Sequence, residues 1–319
     1  MPGLTHIHGF SRAHTASAAL GRGLRHVLVY CAALVSGLAV AGEPAGQPAL
    51  RIAVLDFESN ATATRAATKL RELFRGPAGS GFVVIDSDQA RTAARAAGYE
   101  GSLNLTVAEA RDLGAAMGTD FYFLSNADTV RRSPSTGPSY YEAYASIFIV
   151  SARSGRLIFW ERPLERRDTA ADAENALLQV MSPANKRQQY ATAIASAAAA
   201  ERSERSEAVD SPAPVIVDMI EEGSDAAKDL RAPRPYRRLK PPYPQSAAVA
   251  EVEAVVDVLA DIDAHGEVGK LQIARWAGYG LDQAVLDTVR QMHFFPALRD
   301  NVPVPMRVLL RYNFRKPPQ

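Results

Sequence analysis

Val304-Pro305-Met306-Arg307-Val308-Leu309-Leu310-Arg311-Tyr312-Asn313-Phe314 is the clearest alternating stretch in the chain. Val304, Met306, Val308, Leu310, Tyr312 and Phe314 fall on one side, with Pro305, Arg307, Leu309, Arg311 and Asn313 on the other. Successive side chains of a strand point to opposite faces, so this reads as a strand with one covered face. Upstream, Val252, Ala254, Val256, Val258, Ala260 and Ile262 share one face of a second strand, while Glu251, Glu253, Asp257 and Asp261 lie mostly on the other. Asp263-Ala264-His265-Gly266 turns the chain, and Val268 to Trp276 returns antiparallel. Gly278-Tyr279-Gly280 leads into a helix on which Leu281, Val285, Val289 and Met292 share a side, and Pro296 forbids its continuation. The sum is a small antiparallel sheet covered by helices. Such a sheet leaves edges, and an edge can accept an extended peptide as an added strand.

Four motifs stand in order along this region: Pro242-Tyr243-Pro244-Gln245-Ser246-Ala247, Leu281-Asp282-Gln283-Ala284-Val285-Leu286, Phe294-Phe295-Pro296-Ala297, and Pro303-Val304. Together they resemble the C-terminal domain of the TonB energy-transducer family, over about residues 241–314. Tyr243, Pro244, Leu281, Asp282, Phe294, Pro296 and Ala297 carry the likeness. The resemblance implies a binding module that captures a short N-terminal box of an outer-membrane transporter at its sheet edge. It therefore places partner binding on the final strand, at Pro305, Arg307, Leu309, Arg311 and Asn313. Two positions depart from the family pattern: Glu253-Ala254 and Asn301 stand where the family often has glycine.

The first part of the chain, 50–207, has a different pattern. Arg51 to Phe57 is a short apolar run that reads as a buried strand, and a helix follows with Ala66, Leu70, Leu73 and Phe74 at helical spacing. Gly81 to Asp86 reads as a second strand, with a helix from about Asp88 to Ala97. Thr106-Val107-Ala108-Glu109 is a capping-box pattern opening a helix that ends at Gly118. Phe121 to Val130 is a third strand. Tyr140 to Val150 and Arg156 to Arg162 form a hairpin across Ser151–Gly155. Helices follow from about Ala170, behind Asp168 as cap, to Met181, and from about Pro183 to Ala200. Strand–helix alternation ending in a hairpin predicts a mixed sheet flanked by helices. The fold class is thus α+β, a mixed α/β sandwich-like domain followed by the small C-terminal domain. The segments around Arg51–Phe57, Gly81–Ala90, Asp112–Leu124 and Ser151–Leu164 resemble periplasmic α/β domains of the TolB N-terminal and curli-secretion type. That likeness implies a protein-interaction or assembly role.

Glu201 to Glu207 is charged and serine-rich, and prolines punctuate 208–240, which reads as a linker. Within it Val215 to Ile220 is an apolar island suited to docking as an extra strand on the first domain. Residues 1–41 hold Arg12, Arg22 and Arg25 with no acid, and Val27 to Ala41 is an uncharged, mostly apolar run ending Ala39-Val40-Ala41. That layout reads as a signal peptide, hence a periplasmic location, with an uncleaved inner-membrane anchor as the alternative. His26 lies at its edge, and Cys31 is the one cysteine, so no intramolecular disulfide forms.

With 36 basic and 35 acidic residues, the chain has no field that calls for nucleic acid. Gly76 to Gly81 precedes a strand and lacks the lysine that would make it a phosphate loop. Four of the six histidines lie in the leader, and His265 and His293 lack metal-ligand spacing. Asp56 and Asp86 end strands, where turn or cap service is the plain role. Trp160, Tyr140, Tyr141 and Tyr144 cluster near the hairpin, where they could form an exposed aromatic interaction face, although alternation places many of them in a core. No catalytic residue, metal or cofactor is implied, so the chain reads as a binder and not an enzyme. Its expected partner is an outer-membrane transporter or another envelope protein. A membrane-anchored transducer would add the inner-membrane motor proteins, an envelope scaffold would lack transporter binding, and a homodimer stays open.

Overall fold

The computed structural model describes residues 49–56, 60–76, 81–210 and 229–316. The first strand, β1 (Leu50–Asp56), is followed by α1 (Ala61–Phe74), β2 (Phe82–Val84), α2 (Ser87–Ala96) and α3 (Val107–Met117). Two long strands, β3 (Phe121–Arg132) and β4 (Tyr140–Ser151), precede β5 (Leu157–Glu161) and β6 (Leu164–Arg167). Helices α4 (Ala170–Met181) and α5 (Ala184–Asp210) close this part. The chain resumes with β7 (Leu230–Arg231), β8 (Arg234–Pro235) and α6 (Gln245–Val249). Then come β9 (Ala254–Ile262), β10 (Val268–Arg275), α7 (Leu281–Arg290), β11 (Phe294–Phe295), β12 (Ala297–Arg299), β13 (Val302–Val304) and β14 (Met306–Phe314).

The local rules hold where they were sharpest. At α3 both halves of the capping box form: Thr106 Oγ1 accepts from Glu109 N, Glu109 Oε2 accepts from Thr106 N at 2.7 Å, and Gly118 ends the helix in the left-handed region. Asp86 caps α2, accepting from Asp88 N and Gln89 N, and those amides hold its carboxyl below the usual range. At α4 the cap is Thr169, whose hydroxyl accepts from Asp172 N, and not Asp168. The expected end of α5 at Ala200 is also corrected. The helix runs on through Glu201–Glu207 because Glu201 turns inward, where it accepts from Ser151 Oγ at 2.6 Å and Arg153 Nε at 2.9 Å.

The first sheet has the order β2-β1-β3-β4-β5, with β6 also on β4. β1 pairs in parallel with β2 and β3, and the remaining pairs are antiparallel, so the sheet is mixed as the alternation predicts. Its two faces sort by parity. Ile52, Val54, Phe121, Phe123, Ile147 and Ile149 pack with α1, α4 and α5 around buried Tyr190. Ala53, Leu55, Tyr122, Leu124, Phe148 and Val150 pack with α2, α3 and, unexpectedly for a tethered module, with the C-terminal strands and α7.

That second core joins residues far apart in sequence. The Trp276 ring stacks on Phe148 at 5.9 Å, and its Nε1 donates to Gly155 O at 3.0 Å. Tyr279 Oη donates to Ser146 Oγ at 2.8 Å, and both residues are buried. Gly155 and Gly278 both have positive φ and admit close approach: a Cβ would sit 2.0 Å from Val107 O in the first case and 2.4 Å from the Phe148 ring in the second. Asn104 closes the seam, its Nδ2 donating to Val255 O and Trp276 O and its Oδ1 accepting from Val255 N.

The second sheet has the order β10-β9-β14, fully antiparallel. The final strand departs from the expected Val304–Phe314 span by changing sheets at Pro305. Val302–Val304 pairs with β12 while Met306 pairs with Ile262 of β9. Proline has no N–H to continue a ladder, which fits the break there. The end of the connector is also paired: β7 bonds β12 and β8 bonds β11, so Leu230, Arg231, Arg234 and Pro235 are strand partners within the stretch that reads as a linker. The apolar island Val215–Ile220 and the leader run Val27–Ala41 lie outside the described residues. Among the described residues no helix is long and apolar enough to cross a membrane.

Candidate functional site

β14 is an edge strand. It pairs with β9 over its whole length, Met306↔Ile262 to Phe314↔Ala254, and no described strand lies on its other side. In an antiparallel ladder alternate residues exchange both backbone bonds with the partner, and those between direct N–H and C=O outward. The free edge of β14 is therefore a row of open donors and acceptors.

The register of that edge is fixed by charge. Arg307 lies opposite Asp261 and Arg311 opposite Asp257. Each makes a bidentate pair, at 2.6 and 3.0 Å for Arg307 and 2.7 and 2.9 Å for Arg311. Both aspartates are buried, and the Asp257 carboxylate holds the Arg311 guanidinium above its usual range. Planar guanidinium–carboxylate forks are directional and strong, so slippage of β14 along β9 would break both at once. Between the two forks Leu309 faces Leu259, and Leu309 is 38% exposed. The outward face thus shows an aliphatic window between two fixed cations, with Asn313 exposed beyond it and half-buried Pro305 before it.

The motif residues lie elsewhere and hold the scaffold. Tyr243 Oη donates to Val252 O at 2.6 Å, and Pro244 precedes α6 and packs beside Gly280. Leu281, Phe294 and Ala297 are buried. Phe294 donates its N–H to Gly266 O, and Pro296 stands between β11 and β12. Asp282 accepts from Ala277 N and Gly278 N at 2.8 Å each, bracing the loop before α7, and burial pushes its carboxyl up to about 6. Asn301, one departure from the family pattern, has φ of 66°. Glycine is favoured there for that reason, and asparagine is among the few other residues that tolerate it.

The structure assigns roles that the sequence alone left unassigned. Asp257 and Asp261 are the partners of the arginines, and the signal was present: a spacing of four on β9 mirrored by the same spacing in Arg307 and Arg311. Asn104 and Trp276 join the seam across 172 positions, with no local pattern to announce it. Of the hairpin aromatics, Tyr141 and Trp160 are half-buried against the two cores, whereas Tyr144 and Tyr140 carry arginines: Arg162 lies over the Tyr144 ring at 4.1 Å and Arg166 over Tyr140 at 5.4 Å. His293 Nδ1 is 3.1 Å from the Glu267 carboxylate on the surface, and among the described residues no group of three metal-ligating side chains forms.

Comparison with known proteins adds a family match and several structural likenesses. Residues 240–315 match the family described as Gram-negative bacterial TonB protein C-terminal. Among solved structures, the TonB C-terminal domain of Pseudomonas aeruginosa is 22% identical over 30% of this chain and 96% of that one, with a TM-score of 0.24. The LpoB C-terminal domain from Salmonella enterica is 13% identical over 37% of this chain and 84% of its own, with a TM-score of 0.26. A lipoprotein from Neisseria meningitidis is 14% identical over 45% of this chain and 99% of its own, with a TM-score of 0.30. No curated protein matches the chain. Residues 240–315 are therefore of TonB C-terminal type, on the strength of the family match.

Proposed function

We propose that this chain is a TonB-like protein-interaction module of the bacterial envelope. Its β14 edge captures an extended segment of an outer-membrane partner by strand addition, in envelope transport. One observation carries the reading: an open strand edge nine residues long, held in register by two arginine–aspartate forks and showing Leu309 between them. Backbone bonds along the edge supply affinity for any extended segment, and the window with its two cations supplies choice among segments. The motif residues, by contrast, serve the fold that presents the edge. The family match over residues 240–315 supports the reading.

The test is capture of an N-terminal transporter peptide by the full chain, compared with Leu309→Pro and Leu310→Pro. Adjacent residues alternate in the direction of their N–H, so one substitution removes a bond to β9 and the other only an outward donor. The variant that stays folded is the informative one. It should lose capture by at least about tenfold, and unchanged affinity in it would refute strand addition at β14.

The apolar run Val27–Ala41 in the sequence favours a second reading, a membrane-anchored energy transducer coupled to the proton-driven motor. Mass spectrometry finding a mature chain that begins at Gly42 would exclude it.

A further inference from the structure

A second pair of open strand edges lies away from β14. β5 ends the first sheet and β10 ends the second, and both border one cleft of about 1140 Å³. Among the described residues β10 is paired on this side only by a single bridge, from Arg275 to Thr106, which leaves Val268–Ala274 without a strand partner there. The cleft is walled by α7, the start of α3 and the hairpin loop before β5. Trp160 and Trp276 both line it, with Leu271 and Ile273 of β10 beside them.

The charge around this cleft is uneven. Arg111, Arg153, Arg156 and Lys270 line it against Glu204 and Asp282. Arg153 is paired with Glu201, and Arg156 with Glu204 at 2.6 Å. Arg111 on α3 and Lys270 on β10 are exposed, so the surplus charge at the opening is positive. Apolar walls and indole rings below a cationic opening suit an extended segment that alternates aliphatic and acidic residues. Its backbone can bond an open edge while its carboxylates meet Arg111 and Lys270.

The geometry points to this cleft as a second strand-addition site, which takes an aliphatic and acidic extended segment of a partner protein between β5 and β10. It is independent of the β14 edge. Because the first sheet supplies one wall, the site exists only while the two regions are packed together. A partner held there would be gripped by both.

Trp160 and Trp276 are the only two tryptophans in the sequence, the first half-buried in the cleft wall and the second buried at its base, so intrinsic fluorescence of the full chain reports on this cleft. The probe is a peptide of about seven residues alternating glutamate and valine, cut to the open part of β10, Val268–Ala274, at roughly 3.3 Å per residue. Titration should give a saturable change in tryptophan emission. Lys270→Glu with Arg111→Glu should weaken binding at least about tenfold, and so should N-methylation of alternate peptide amides, which spares the side chains. The variant of Leu309→Pro and Leu310→Pro that stays folded should leave the signal intact, which separates this site from β14. The proposal is overturned by any of four results: no saturable change; equal binding of a lysine–valine peptide; equal binding of the N-methylated peptide; or binding that appears only after deletion of 215–220. A tryptophan signal that follows protein concentration without peptide would assign the cleft to a second copy and overturn it as well.

Discussion

The two sheets of this protein are built from similar strands and used in opposite ways. The first is covered on both faces, by α1, α4 and α5 on one side and by α2, α3 and the C-terminal region on the other. The second has one face on α7, while its other face carries arginine–aspartate forks and a half-open leucine. The difference is written in the strands. β1 reads Ile52-Ala53-Val54-Leu55 without a polar break, as a strand buried on both faces must, whereas β14 alternates. A sheet sealed on both faces has little surface to offer a partner beyond its rim. A half-covered sheet with an edge strand has both a face and a ladder to offer, and the strand addition we propose uses that edge.

The comparison breaks most completely if the seam between the sheets is opened. Trp276→Ala removes the ring on Phe148 and the bond to Gly155 O, and should cost about 3–5 kcal/mol. Urea unfolding followed by circular dichroism should still show one transition, at a lower midpoint, because both sheets share that core. Two separated transitions in the parent protein would mean the sheets are independent. Asn104→Ala strands the Val255 N–H and C=O and the Trp276 C=O, and should cost about 2–3 kcal/mol in the same assay. Asp257→Ala leaves Arg311 and the neighbouring Arg275 without their buried carboxylate, 2.7 and 3.5 Å away, and should cost about 2 kcal/mol. It should also weaken peptide capture at β14, through lost register.

The smallest effect is a pH dependence. Asp282 has a carboxyl raised to about 6 in the folded protein against about 3.9 unfolded. The folded state therefore holds this proton more tightly, and its contribution is complete below about pH 4 and lost as pH rises through about 6. Asp282→Asn, neutral throughout, should lack that component of the slope. Stability measured from pH 4 to 7 in both proteins checks it, and identical slopes would contradict the raised carboxyl.

Much of this was legible in the chain. Element type and order follow from periodicity at β1, α1, β3, β4, β9, β10, α7 and β14, and from the Thr106–Glu109 box at α3. The edge residues Arg307, Leu309 and Arg311 were readable because alternation alone assigns their face. Local rules were silent where distant residues decide. Glu201 keeps α5 helical only because Ser151 and Arg153 await it, and β7 and β8 form only because β11 and β12 offer partners. The seam was invisible for the same reason: Asn104, Ser146, Gly155 and Trp276 are ordinary residues until the fold brings them together.

The central claim is strand addition at β14, and hydrogen exchange on the full chain tests it most directly, with and without a transporter N-terminal peptide. Alternate amides between Arg307 and Asn313, those on the free edge, should slow by at least about tenfold in the complex, as new backbone bonds require. Binding without added protection along β14, or with protection confined to β5 and β10, would contradict the account.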